Sequence, residues 1–303
     1  VESLDAIRLV IGAVALGYGA WSDWQTRRVP DRTWQLAGGA GLALLAAELW
    51  QTQASAGTWG LAIALGALFW YSQIDDEAIH GRELTAWRAI QVAGVVGIAH
   101  FALFEGWGAL LTGGYAVDLL AALALMVMMY GWYYFGPTIG GADVKALLTV
   151  AVLVPFSPNT GATLQAFGDQ GFPFPWVVFM NSLLLYLAIP IGLLVWNIVH
   201  GNLEKPWLQA LLGVRMDLTK ARESFVWPMT RVVGNRTVLA PMVKRDLDLP
   251  SEWDALATAG VMHPWVSLKI PYIIPLFGAF LLSTFVGDLF SELLVAPLGE
   301  LFQ

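Results

Sequence analysis

Eight stretches of the sequence are almost wholly apolar over the length a helix needs to cross a bilayer: Leu4–Ser22, Thr33–Trp50, Gly57–Ile74, Ala86–Phe104, Tyr115–Phe135, Thr138–Pro155, Phe174–Val199 and Lys269–Phe290. A hydrocarbon core takes about 20 such residues in helical form. No backbone group can be left unpaired inside it, so only helices and closed barrels span. Barrel strands would alternate over segments of about ten residues, and nothing here alternates in that way. The expected fold is an all-α polytopic membrane protein with about eight transmembrane helices. Composition agrees: 13% of residues are charged, against about 25% in soluble domains, which excludes an ordinary soluble enzyme. The first stretch has no basic leader and no small-residue cleavage site after it, so it reads as a span and not a cleavable signal peptide.

Basic residues orient the spans. Of the 16 Lys and Arg, all but Arg8 fall on one side of an eight-span arrangement. They lie in Asp23–Arg32, in Asp75–Thr85, in His200–Leu268 and at the adjoining helix ends. The connections Gln51–Ala56, Glu105–Gly114 and Phe156–Pro173 carry none. An odd span count would scatter the charges over both faces. The basic segments are therefore expected in the cytoplasm and both termini outside the cell membrane. His200–Leu268 breaks the apolar pattern with mixed charge and with Pro206, Pro228, Pro241, Pro250 and Pro264. It reads as a small cytoplasmic α+β module, with Arg231–Leu239 forming a β-hairpin about Gly234-Asn235. The expected organisation is a membrane domain with seven spans over 1–199, the module over 200–268, and a last span with an outer C-terminus over 269–303. No internal repeat is visible.

The same topology sorts the 23 acidic residues. Glu48, Glu105, Asp118, Asp288 and Glu292 lie near outer span ends, where interfacial placement or helix capping explains them. Asp75, Asp76 and Glu77, with Glu83, form an acidic cytoplasmic loop that reads as a solvated linker or as an attraction site for a basic substrate segment. Asp23 and Asp143 differ. Asp23 ends the first helix about 28 Å from Leu4, and Asp143 lies roughly 8 Å inside the sixth stretch. Four spans separate them, so both reach the same face at the same depth.

A carboxylate in that position costs about 2.5–3.5 kcal/mol on insertion scales and is a functional candidate by default. Two of them within a few ångströms share a proton. One can then deprotonate a water while the other protonates a scissile carbonyl and the leaving amine. Gly140, Gly141 and Ala142 leave the approach to Asp143 free of bulk. Ala13/Gly17 and Ala15/Gly19 allow close packing of the first helix. A salt bridge from Asp143 to Lys145 or Arg88 is the competing, purely structural account. With no cysteine in the chain, thiolate nucleophiles and cysteine zinc sites drop out. No metal or cofactor is expected. A net charge of −7 speaks against a nucleic-acid partner.

At these residues the sequence resembles the archaeal preflagellin and prepilin peptidases, membrane aspartic proteases that process class III signal peptides. Ser22–Arg32 (SDWQTRRVPDR) is similar to the family's first segment, an Asp at the end of helix one followed by a Pro30-Asp31 turn opening helix two. Gly140–Lys145 (GGADVK) is similar to the second, Gly-x-hydrophobic-Asp. Phe225–Val233 and Trp265–Pro275 also look like archaeal members, in the same order along the chain. The resemblance implies endoproteolysis at the cytoplasmic membrane boundary. Asp23 and Asp143 would be the catalytic dyad, and the partners would be archaellin or pilin-like precursors with a basic leader and a hydrophobic segment. The cysteine-rich zinc segment and methyl transfer of bacterial relatives are not supported. The chain departs from usual archaeal members in fitting four helices between the aspartates, not about two. Ala142 stands where presenilin-like proteases need Gly, and Ser22 where they place Tyr.

Two alternatives remain at this stage: a presenilin-like protease cutting within transmembrane helices, and a proton-coupled transporter using the same aspartates. Transporters usually carry repeats with helices broken at the midplane, which this chain lacks. Asp31 is expected to N-cap helix two. His100 and Asn181 are expected to make ordinary hydrogen bonds inside the membrane.

Overall fold

The computed structural model describes residues 2–74, 79–106, 108, 114–135, 140–158, 172–203, 207–234, 236–240 and 247–295. Each of the eight apolar stretches carries a helix: α1 (Glu2–Thr26), α2 (Asp31–Gln51), α3 (Ala56–Tyr71), α4 (Arg82–His100), α5 (Tyr115–Phe135), α6 (Gly141–Leu153), α7 (Phe174–Val199) and α11 (Ile273–Phe285). Four helical segments are long and apolar enough to cross a membrane: Leu4–Thr26, Arg82–Glu105, Tyr115–Phe135 and Phe174–Val199. Ala56–Tyr71 and Ile273–Phe285 are apolar but shorter. The α6 helix has 13 residues, about 20 Å at 1.5 Å per residue, and α2 carries Asp31, Arg32 and Glu48. Among the described residues, helix length and composition support four of the eight expected spans. The chain divides into two compact units, 1–184 with 271–303, and 185–270.

Within the first unit the helices meet through small residues, as membrane helices do when lipid offers no hydrophobic drive to association. A methyl on Gly12 would lie 2.5 Å from the Phe280 ring of α11, and one on Gly19 would lie 2.8 Å from the Trp34 ring of α2. Gly17 faces Phe277. The α2 helix packs on α6 where a methyl at Gly41 would come within 2.7 Å of the Leu153 Cα. Between α3 and α4 the backbones themselves touch, because a methyl at Gly60 would lie 2.5 Å from the Gly97 Cα. The α4 helix continues into a π-helical turn, Phe101–Glu105. Glu105 there accepts from the Gly57 amide at 2.9 Å and from the Ser55 hydroxyl, capping α3. Asn181 on α7 donates to Ser283 Oγ and to the Gly287 carbonyl, each at 2.9 Å, and accepts from the Phe290 amide. These are ordinary hydrogen bonds between segments, as expected of it.

At the Arg8 end of α1, charge is buried. Arg8 and Glu48 form an ion pair at 2.6 Å, with Asp5 at 3.6 Å from the same nitrogen. All three side chains are sealed from solvent.

The second unit follows the second half of α7 with α8 (Gln209–Leu212), β1 (Val214–Arg215), α9 (Leu218–Glu223), β2 (Val226–Pro228), β3 (Thr230–Val233), β4 (Arg236–Leu239), α10 (Leu249–Thr258) and β5 (Trp265–Leu268). The expected hairpin is β3–β4, pairing Thr230 with Leu239 and Val233 with Arg236. Gly234 supplies the positive φ of its turn, and Asn235 lies outside the described residues. A three-stranded antiparallel sheet in the order β1-β5-β2 was not expected. Its strands are short, and β5 lies at the end of the module, where no strand was read from the sequence. Val214, Leu218, Ala221, Val226, Trp253, Leu256 and Val266 form the core beneath it. Asp217 caps α9, accepting from the amides of Thr219 at 2.9 Å and Lys220 at 3.3 Å. Those bonds, first that from Lys220, hold its carboxyl below the usual carboxylate range.

Candidate active site

Asp23 stands in the last turn of α1, and local chemistry defines that end. Arg27 adopts a left-handed backbone, φ 57°, and its amide donates back to the Asp23 carbonyl at 3.0 Å, so the helix stops there. Ser22 Oγ donates to the Arg28 carbonyl at 2.8 Å. Thr26 Oγ1 lies 2.9 Å from the Ser22 carbonyl and 3.1 Å from that of Arg28. Two hydroxyls thus fold the 27–30 turn against the helix end that carries Asp23. The Arg27 charge acts on Asp23.

Pro30, extended at φ −60° and ψ 134°, occupies the N-cap of α2. Its ring cannot cap, and Asp31 is the first helical residue. The expectation that Asp31 caps α2 is therefore corrected. Its carboxylate instead pairs with Lys145 Nζ at 2.7 Å.

Asp143 is the third residue of α6. Its Oδ2 accepts from the Gly140 amide at 3.3 Å, and the first turn of a helix favours an anion. A methyl on Gly140 would sit 2.8 Å from that same oxygen. Gly141 is different, since its nearest neighbour would be the Tyr133 ring of α5 at 3.7 Å. Ala142 is half-buried.

The structure brings Asp23 and Asp143 within electrostatic reach of each other. Among the described residues neither makes an ion pair. Lys145 and Arg88 do not neutralise Asp143: Lys145 holds Asp31, and Arg88 donates to Gln91 at 3.2 Å. Asp75, Asp76 and Glu77 lie outside the described residues. No group of three potential metal ligands occurs among the described residues. The Asp31–Lys145 contact was missed in the sequence. The partners stand 114 positions apart, and only co-variation between those positions would have signalled it.

No family model matches the chain. It is similar to the preflagellin peptidase of Methanocaldococcus jannaschii, 24% identical over 185 residues, covering 58% of this chain and 74% of that protein. The preflagellin peptidase of Methanococcus voltae is 23% identical over 188 residues, 58% and 77% of the two chains. That of Methanococcus maripaludis is 24% identical over 177 residues, 56% and 73%. The chain is thus similar to archaeal preflagellin peptidases over more than half its length. Apolar helices and the likeness to these peptidases together support a membrane protein. A peptidase must activate water and protonate an amine, chemistry that a pair of carboxylates can perform.

Proposed function

We propose that the chain is a membrane aspartic endopeptidase that cleaves preflagellin-type precursors, with Asp23 and Asp143 sharing one proton. What supports this reading is that Asp143 lies within electrostatic reach of Asp23 and that neither carboxylate makes an ion pair among the described residues. The relatives' names supply the substrate class. The unprotonated carboxylate takes a proton from water as it attacks the scissile carbonyl. The protonated partner donates to the carbonyl oxygen, and the proton gained from water passes to the leaving amine. The Gly140 amide leaves Asp143 one oxygen engaged and one for this exchange. The basic segments and this site face the cytoplasm, and the cut falls between a basic leader and the hydrophobic segment of the precursor.

Asp23→Asn and Asp143→Asn should each lower cleavage of a co-expressed preflagellin by on the order of 10³-fold, with membrane insertion retained. Full cleavage by either variant overturns the proposal. Rate against pH should be bell-shaped, with limits belonging to the pair. Mass spectrometry of the product should place the cut at the edge of the hydrophobic segment. A cut several turns inside it would favour the presenilin-like alternative.

A further inference from the structure

We propose that the Lys145–Asp31 ion pair is a clasp that sets the spacing of the two aspartates, making both residues positioning elements of the site. This rests on the Asp23–Asp143 reading above.

A short series of links joins one carboxylate to the other. Ser22, beside Asp23, holds the Arg28 carbonyl at 2.8 Å. Pro30 restricts the backbone two residues later. Asp31 follows, bonded to Lys145 Nζ at 2.7 Å, and Asp143 is two residues before Lys145. Residues at i and i+2 do not face each other on a helix. Lys145 can therefore grip Asp31 without cancelling the charge on Asp143.

Asp31–Lys145 is the one hydrogen-bonded link between α2 and α6 among the described residues. Farther along, Gly41 lies against Leu153, a contact remote from the ends of α2 and α6 that carry Asp31 and Asp143. The pair is partly exposed, 21% at Lys145 and 58% at Asp31, and ion pairs so placed add little to stability. Geometry is the property it controls. A misplacement of about 1 Å can cost about 100-fold in rate.

The test uses the full chain in lipid nanodiscs with a preflagellin as substrate. Lys145→Gln and Asp31→Asn should each lower kcat about tenfold or more, with KM little changed. The reversal, Asp31→Lys with Lys145→Asp, should recover most of the loss. The chain has no cysteine, so spin labels at Gln25→Cys and Gly141→Cys report the separation of the two helix ends without background. Lys145→Gln should broaden that distance distribution. Wild-type turnover by both single variants overturns the clasp while Asp23→Asn stays inactive. So does a distribution unchanged by Lys145→Gln. Full activity of Asp23→Asn would instead sink the dyad reading, and the label distances would still decide whether the pair holds the two ends together.

Discussion

The two ends of α1 handle carboxylates in opposite ways. At one end Asp5, Arg8 and Glu48 are buried together, and Arg8 contacts both acids. At the other, Asp23 and Asp143 are only partly covered, and neither forms an ion pair among the described residues. Desolvating a charge costs several kcal/mol unless a partner answers it. The first end meets that cost by contact. The second leaves two like charges near each other, at a place where the basic residue within two positions, Lys145, is occupied by Asp31. On the proposed function, one end holds and the other reacts.

The largest expected effect breaks the first end. Arg8→Met strands two buried carboxylates and should destabilise the protein by about 3–5 kcal/mol, read as thermal unfolding in detergent. The paired change Arg8→Met with Glu48→Met should recover much of it, and the folded fraction should cleave at an unchanged rate. Stability equal to wild type would erase the contrast. Next comes the reactive end. Gly140→Ala must displace the Asp143 oxygen 2.8 Å from its new methyl, and should lower kcat about tenfold with little change in melting. Gly141→Ala, with 3.7 Å to its nearest neighbour, should stay within about twofold. Equal losses in the two would mean that Gly140 is not shaping Asp143.

The smallest effect concerns a third treatment of a carboxylate, at exposed Asp217. Because its folded-state pKa is depressed, its contribution to stability is present above the ordinary carboxylate value of about 3.9. That contribution fades as pH falls through the lower folded value. Asp217→Ala should therefore speed amide exchange in α9 near neutral pH, and the difference from wild type should vanish in acid.

The helices of this fold were legible because apolar length is a local property: every stretch read from the sequence carries one. The hairpin was legible for the same reason, through Gly234. The number of spans was less so. The apolar runs overstate how much chain is helical at α3, α6 and α11. The two aspartates were picked out through parity, on the reading that an even number of crossings returns a chain to its starting face. What failed was everything decided by a distant partner. Arg8 and Glu48 were read separately as residues of one face, and their contact depends on the packing of α1 on α2. Asp31 looked like a cap because its neighbours suit one, but Pro30 takes the cap position and Lys145 takes the carboxylate.

The backbone contact between Gly60 and Gly97 bears on how such a molecule can be put together. Helices that meet on their own glycines need little from their neighbours to stay paired, so the α3–α4 hairpin carries its assembly instructions within itself. A hairpin of that kind behaves as a cassette. Its backbone contact lies within itself, so α3 and α4 can pack as a unit while the chain runs on from α2 to α5.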